Sequence, residues 1–228
     1  MCSVAASTDP EGKSLLDYPR PSVAVDVAVL TVDGAELKVL VVPHRSGRLA
    51  LPGTFLHKDE RLRDAAERCL RIKAGLAGAE FHQLAMFDDP ARDDRGWVLS
   101  MTHGAALPRT ALPRDALLIP VDGDRVTQDL AFDHADVVTL AVADLRERYA
   151  RSVDPSGLAG DTFTVLELRR VYEVVFGRPL PKDSFRRHMM PALEHTGDLA
   201  VVGTGRPAEI YTRGPAPLPP GAAAFLAG

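Results

Sequence analysis

The sequence predicts an α+β protein in two parts, an α/β or α+β domain followed by a winged helix-turn-helix. Three observations carry this. Apolar strands alternate with helical stretches through the first part of the chain. A turn-rich segment, ARSVDPSGLAGD at 150–161, then interrupts that pattern. Beyond it, helix, short turn, helix and β-hairpin follow within about 50 residues, which is the outline of a winged helix.

Taken in order, the elements announce themselves by local chemistry. From Ser22, SVAVDVAVL alternates Val23, Val25, Val27 and Val29 with small or polar residues and reads as a half-buried strand. Asp33-Gly34 is a two-residue hairpin signal, and ELKVLVV supplies the returning strand. Helix formers from Arg61 to Ala74 are closed by Gly75. FHQLAMF (81–87), WVLSMTH (97–103) and DALLIPV (115–121) read as strands. Between His134 and Tyr149, residues Val137, Val138, Ala141, Leu145 and Tyr149 line one helical face. Past the turn-rich segment, Thr164 and Glu167 form a capping box opening VLELRRVYEVVF, and Gly177 ends that helix. Asp183 can cap a second helix, SFRRHMM, which Pro191 ends or kinks. DLAVV, GTGRPA and EIYTR then read as strand, turn, strand. The expected division is a disordered tail at 1–19, a first domain at 20–149, a linker at 150–161, a winged helix at 162–214 and an untethered Pro- and Ala-rich tail at 215–228.

Composition narrows the function. The 228 residues, 46% hydrophobic and 25% charged, are those of an ordinary soluble globular protein. A net charge of −4 advertises no nucleic-acid field, so any such partner must meet a local patch. Cys2 and Cys69 make no disulfide framework and fit a reducing compartment. The N-terminus lacks an apolar signal region, and nowhere do 18 apolar residues run together. The expectation is a cytoplasmic protein without a membrane partner.

Residues 51–76, LPGTFLHKDERLRDAAERCLRIKAGL, resemble the Nudix box, G-x5-E-x7-R-E-U-x-E-E-x-G-U with U aliphatic. Glu60, Arg68, Leu70, Gly75 and Leu76 keep the correct spacings, while Thr54 stands where the box glycine would fall. The resemblance implies a Nudix-like α/β/α sandwich around a mixed sheet. In catalytic members the three acids of the box share one helix face and hold Mg²⁺ against a diphosphate. Here those positions are Cys69, Ile72 and Lys73. The first two are poor ligands for a hard cation and the third repels one. No catalytic residue, metal site or required cofactor is therefore expected. Lys73 either takes the metal's place as a phosphate partner or is solvated at the helix C-terminus, which also suits the dipole. Glu60 and Arg68 should pair and hold the loop to the helix. Arg45, Arg48, Lys73, Arg92 and Arg95 are the cations that the fold could bring to a ligand cleft.

MFDDPARDDRGWVLSM (86–101) is by itself only a polar loop between strands, but it is similar to a segment of the Nudix-related transcriptional regulators of the NrtR type. FDHADVVTLAVADLRERY resembles that family's inter-domain helix, FTVLELRRVYEVVFGRPLPKDSFRRHMM its helix-turn-helix, and GRPAEIY its wing. The likeness spans residues 22–213. Independently of it, Arg178, Lys182, Arg186, Arg187 and His188 cluster against the single acid Asp183, as a helix entering the major groove requires. Candidate DNA contacts are Arg178, Lys182, Ser184, Arg186, Arg187 and, in the wing, Thr204 and Arg206, with Phe185 and Met189 facing the core.

The resemblance implies a repressor, acting as a homodimer on a palindromic operator of double-stranded DNA in NAD biosynthesis or salvage genes. Its small-molecule effector would be ADP-ribose or a related nucleotide, or a sugar as in some relatives. Three alternatives stay open: a hydrolase using relocated acids such as Glu60, Asp64 or Glu67, a regulator whose first domain only dimerises, and a protein-interaction adaptor.

Overall fold

The computed structural model describes residues 8–200 and 207–228. The sheet of the first domain is built around β1 (Ser22–Asp33), which returns through a tight turn into β2 (Glu36–Leu40). Asp33 pairs with Glu36, so Gly34-Ala35 occupies the turn centre, and Gly34 supplies the φ of +64° that the turn requires. The short strands β3 (Val42–Pro43) and β4 (Leu49–Ala50) pair with each other, and β5 (Gly53–Phe55) pairs with β1. Helix α1 (Leu62–Ala74) and strands β6 (His82–Phe87), β7 (Val98–Ala106), β8 (Leu118–Asp122) and β9 (Arg125–Val126) follow. The sheet runs β6-β7-β1-β2-β8-β9; β1 and β7 are parallel and the other pairs antiparallel, which makes it mixed.

One expectation changes here: β1 is buried on both faces instead of half-buried. Val25, Val27 and Val29 pack with Ala66 and Leu70 of α1. On the opposite face Ala28 and Leu30 pack with Val137, Val138 and Val142 of α2 (His134–Arg151). Helices on both faces convert an alternating strand into a doubly buried one, where each large apolar side chain contributes about 1.5–3 kcal/mol. The small residues between the valines are what let α2 approach.

The same core continues through α2 into the second domain. Residues 150–161, expected as a linker, are tied down: Val153 and Asp154 are buried. The Asp154 carboxylate accepts hydrogen bonds from Tyr149 Oη (2.6 Å), Leu158 N (2.8 Å), Ala159 N (3.0 Å) and Arg213 Nη2 (2.6 Å).

The winged helix comprises β10 (Phe163–Thr164), α3 (Val165–Phe176), α4 (Lys182–Met189), β11 (Leu193–Ala200) and β12 (Ala208–Arg213), with its sheet ordered β10-β12-β11. The Thr164–Glu167 capping box forms as expected, each residue's side chain accepting the other's N–H. Gly177 closes α3 at φ +66°, with Gly177 N bonded to Val174 O and Arg178 N to Glu173 O in a Schellman arrangement. Asp183 does not cap α4; Pro181 holds the N-cap position and Asp183 lies inside the first turn, where its charge still favours the dipole. Pro191 ends α4, since it cannot donate to an i−4 carbonyl, and Met190–Ala192 form a 3₁₀ turn.

The two tails differ where they are described. Ser14 and Asp17 cap a 3₁₀ turn at Leu15–Asp17, although its side chains are exposed. Residues 215–228 include α5 (Pro220–Ala227), whose Ala222 and Leu226 are fully buried against the shared core. An Ala-rich segment with apolar residues four apart folds when a groove accepts that face, which composition alone does not reveal. Among the described residues, no helix is long and apolar enough to cross a membrane.

Candidate functional site

The Nudix-like cleft is held by the pair that the sequence marks. Arg68 Nε donates to Glu60 Oε1 (2.7 Å) and Nη2 to Glu60 Oε2 (2.8 Å), while Nη1 reaches Thr54 Oγ1 (3.2 Å) and Nη2 also reaches Phe55 O (2.9 Å). Thr54, in the glycine position of the box, therefore joins the clamp. Arg68 and then the His57 N–H hold the Glu60 carboxyl down at about 2.

The three residues aligned with the acids of the box, Cys69, Ile72 and Lys73, differ in setting. Cys69 is buried, and burial pushes its thiol up to about 11, which disfavours the thiolate that metal binding or nucleophilic attack needs. Ile72 is 65% exposed. Lys73 lines the cleft and donates to Gly53 O. The neighbouring acids have other partners: Asp64 accepts Arg61 N–H (3.3 Å) and Glu67 accepts from Arg63 Nε (3.0 Å). This donor set does not fit a Mg²⁺ ion. Among the described residues, no cluster of three His, Cys, Asp or Glu side chains could hold a metal.

The cleft has a volume of about 390 Å³ and is lined by Arg45, Lys73, Arg92 and Arg95 among others. Four of the five cations named from sequence therefore converge. They are not equivalent. The Arg92 side chain is only 3% exposed and spends its fork on Asp133 (2.8 and 2.7 Å), with Asp26 at 3.4 Å. Arg95 is bidentate to Asp93 (2.8 and 2.5 Å), and its guanidinium lies between the rings of Phe55 (5.0 Å) and Phe132 (5.4 Å). Arg48 lies beside the cleft, tied to Asp129 and Leu130 O. Arg45 and Lys73 are the cations best placed to meet an anion.

The floor was invisible in the sequence. Asp26, on the α2 face of β1, accepts from Ser100 Oγ (2.6 Å) and faces His134 Nε2 (3.4 Å). His134 Nδ1 accepts Leu51 N–H (2.9 Å), so the ring's remaining N–H is the one directed at Asp26. Burial pushes the Asp26 carboxyl up, but His134, Ser100 and Arg92 together outweigh it and keep it below its ordinary value. Gly53 of the LPG lead-in is required by the same group, because a Cβ there would lie 1.9 Å from Asp26 Oδ1. Phe132, at φ 57° and over the cleft, holds a backbone conformation that costs energy and is kept by its surroundings.

On the second domain, Phe185 and Met189 are buried as expected, Phe185 against Tyr172 (5.3 Å between rings). The turn is pinned by Arg169 Nη1 to Leu180 O (3.0 Å) and Leu180 N to Glu173 Oε1 (2.9 Å). Lys182, Arg186 and Arg187 are exposed and Ser184 is half-buried. Arg186 approaches Glu209 of the wing at 3.5 Å. Arg178 is turned away, donating to carbonyls of α5 instead of facing outward with the others. Thr204 and Arg206 lie outside the described residues.

A Nudix-like sandwich carrying a cationic cleft, joined through one helix to a winged helix-turn-helix, defines a two-domain class. Residues 156–212 match the family described as the NrtR DNA-binding winged helix domain. The ADPR responsive transcriptional repressor NtrR of Acinetobacter baylyi is 33% identical over 210 residues, covering 86% of this chain and 83% of that protein. The crystal structure of Shewanella oneidensis NrtR complexed with a 27mer DNA is 31% identical, with a TM-score of 0.70 over 89% of this chain and 95% of that one. A MutT/nudix family protein from Enterococcus faecalis, 23% identical, shares the fold with a TM-score of 0.69 over 89% and 90% of the two chains. The chain belongs to the NrtR family.

Proposed function

We propose that this chain is an ADP-ribose-responsive transcriptional repressor that binds double-stranded DNA through α4 and its wing and does not hydrolyse its effector. The observation that carries the reading is Lys73, which lines the cleft on the helix of the Nudix-like box in a chain that also bears the winged helix. The Acinetobacter relative is a responsive repressor, and the Shewanella relative was crystallised on DNA. Lys73 and Arg45 supply positive charge where a diphosphate would otherwise need a metal ion. With Cys69, Ile72 and Lys73 at the acid positions of the box, and Glu60, Asp64 and Glu67 engaged elsewhere, metal-assisted activation of a water through that helix is disfavoured.

The protein works as a cytoplasmic homodimer on a palindromic operator, with two recognition helices one helical turn apart. Its targets are genes of NAD biosynthesis or salvage. Effector that binds the DNA-incompetent arrangement better shifts the population off DNA, and DNA weakens effector binding by the same factor. The test is to mix the protein with sheared DNA of its source, with and without ADP-ribose, and sequence what is retained. Enrichment of a palindrome in a few promoters, lost with ADP-ribose, supports the reading. Enrichment indifferent to millimolar ADP-ribose removes the effector, and release of AMP with Mg²⁺ removes the non-catalytic part.

A further inference from the structure

The segment 215–228 does not line the cleft, yet α5 is wedged between α2 and α4. At its start, Leu218 N donates to Arg151 O at the end of α2 (3.1 Å). Ala222 and Leu226 are fully buried. On its other side the Phe225 ring stacks on His188 of α4, with centroids 4.7 Å apart and planes 9° apart. His188 is itself held by Nδ1 to Ser184 O (2.8 Å), one turn back along α4.

Arg178, in the turn between α3 and α4, completes the contact. Its Nη2 donates to Phe225 O (2.5 Å) and Leu226 O (3.0 Å). Those carbonyls belong to the last turn of α5, which has no intrahelical donors left for them and carries the negative end of the helix dipole. A guanidinium satisfies both needs at once. Two members of the basic cluster that the sequence assigns to DNA, Arg178 and His188, are thus engaged on α5.

We propose that α5 is a brace fixing the recognition helix against α2, and that Arg178 and Phe225 are positioning residues instead of DNA contacts. The proposal rests on the repressor reading for its DNA measurements. Only eight residues long, α4 buries just Phe185 and Met189 completely, so the further contact with α5 adds a support to its orientation. Because α2 begins at His134 on the cleft floor and ends against α5, the brace ties the pose of α4 to the helix that the cleft touches.

Full-length Arg178→Gln and Phe225→Leu are compared with wild type on the duplex that wild type enriches from sheared genomic DNA, over a range of salt. Hydrogen exchange of the protein alone is followed in parallel. Losing a phosphate contact lowers the slope of log K against log salt by about 0.9. Losing a brace leaves that slope unchanged and weakens binding by roughly tenfold in both variants. Phe225→Leu keeps an apolar side chain at a partly buried position, so the fold is retained, and the amides of α4 exchange roughly tenfold faster while those of α1 do not. A reduced slope for Arg178→Gln with wild-type affinity for Phe225→Leu, or unchanged exchange in α4, overturns the proposal. If wild type enriches no duplex, the repressor reading fails, and the exchange comparison still decides the brace.

Discussion

Asp154→Asn should loosen the junction between the two domains while keeping the shape of the side chain. Asp154 is wholly buried at a φ of 40°, a conformation that Asn tolerates nearly as well, so backbone strain is not the variable. Oδ1 accepts from Tyr149 and Leu158 N, and Oδ2 from Ala159 N and Arg213. An amide replaces one of these oxygens with a donor, so in either orientation two of the four donors lose their acceptor. Each buried donor left unsatisfied costs about 1–3 kcal/mol. Arg213 retains bonds to Gly160 O and Asp154 O, which keeps its charge from being stranded and moves the sum toward about 3 kcal/mol. In a chain of this size that lowers Tm by roughly 6–12 °C. Far-UV circular dichroism on heating measures it, and a cycle with Arg213→Met isolates the pair. A fall of under about 2 °C would mean that the carboxylate does not hold the junction.

Other consequences follow from the cleft and the recognition helix. Glu60, held at about 2 from an ordinary 4.5 by Arg68, contributes stability that is complete above pH 4.5 and lost as pH falls through about 2. Glu60→Gln should therefore lose less stability than wild type in that interval on acid titration, and parallel curves would contradict the pairing. Lys73→Glu should weaken ADP-ribose by roughly tenfold or more, read as a lost thermal shift; a wild-type shift would make Lys73 a bystander. Arg187→Ala should weaken operator binding by roughly tenfold, and a salt slope lower by about 0.9 would mark a phosphate contact. Unchanged affinity would remove Arg187 from the interface. Arg186→Ala should cost less, since Glu209 already shares its charge.

Legible in the chain before folding was whatever depends on neighbours a few residues apart. The Thr164–Glu167 box, the glycines after α1 and α3, the buried face of α2 and the Glu60–Arg68 clamp are separated by at most about a dozen residues, and hydrogen-bond rules operate at that range. The register of the Nudix box likewise pointed to Cys69, Ile72 and Lys73 at the positions where catalytic members carry acids. Tertiary structure alone decided the rest, because the partners are distant in the chain. Asp26 meets Ser100 and His134 only once β7 and α2 lie on either side of β1, and until then it reads as one polar residue in an alternating strand. Asp154 becomes a buried anion only when Arg213 returns beside it at the end of the wing. The tail 215–228 looked untethered since alanine and proline carry no partner preference of their own. It is ordered by a groove between α2 and α4 and by an arginine that turns away from the basic cluster to cap it. Local propensity names the elements, and the burial that gives isolated polar or featureless residues a role exists only after those elements have packed.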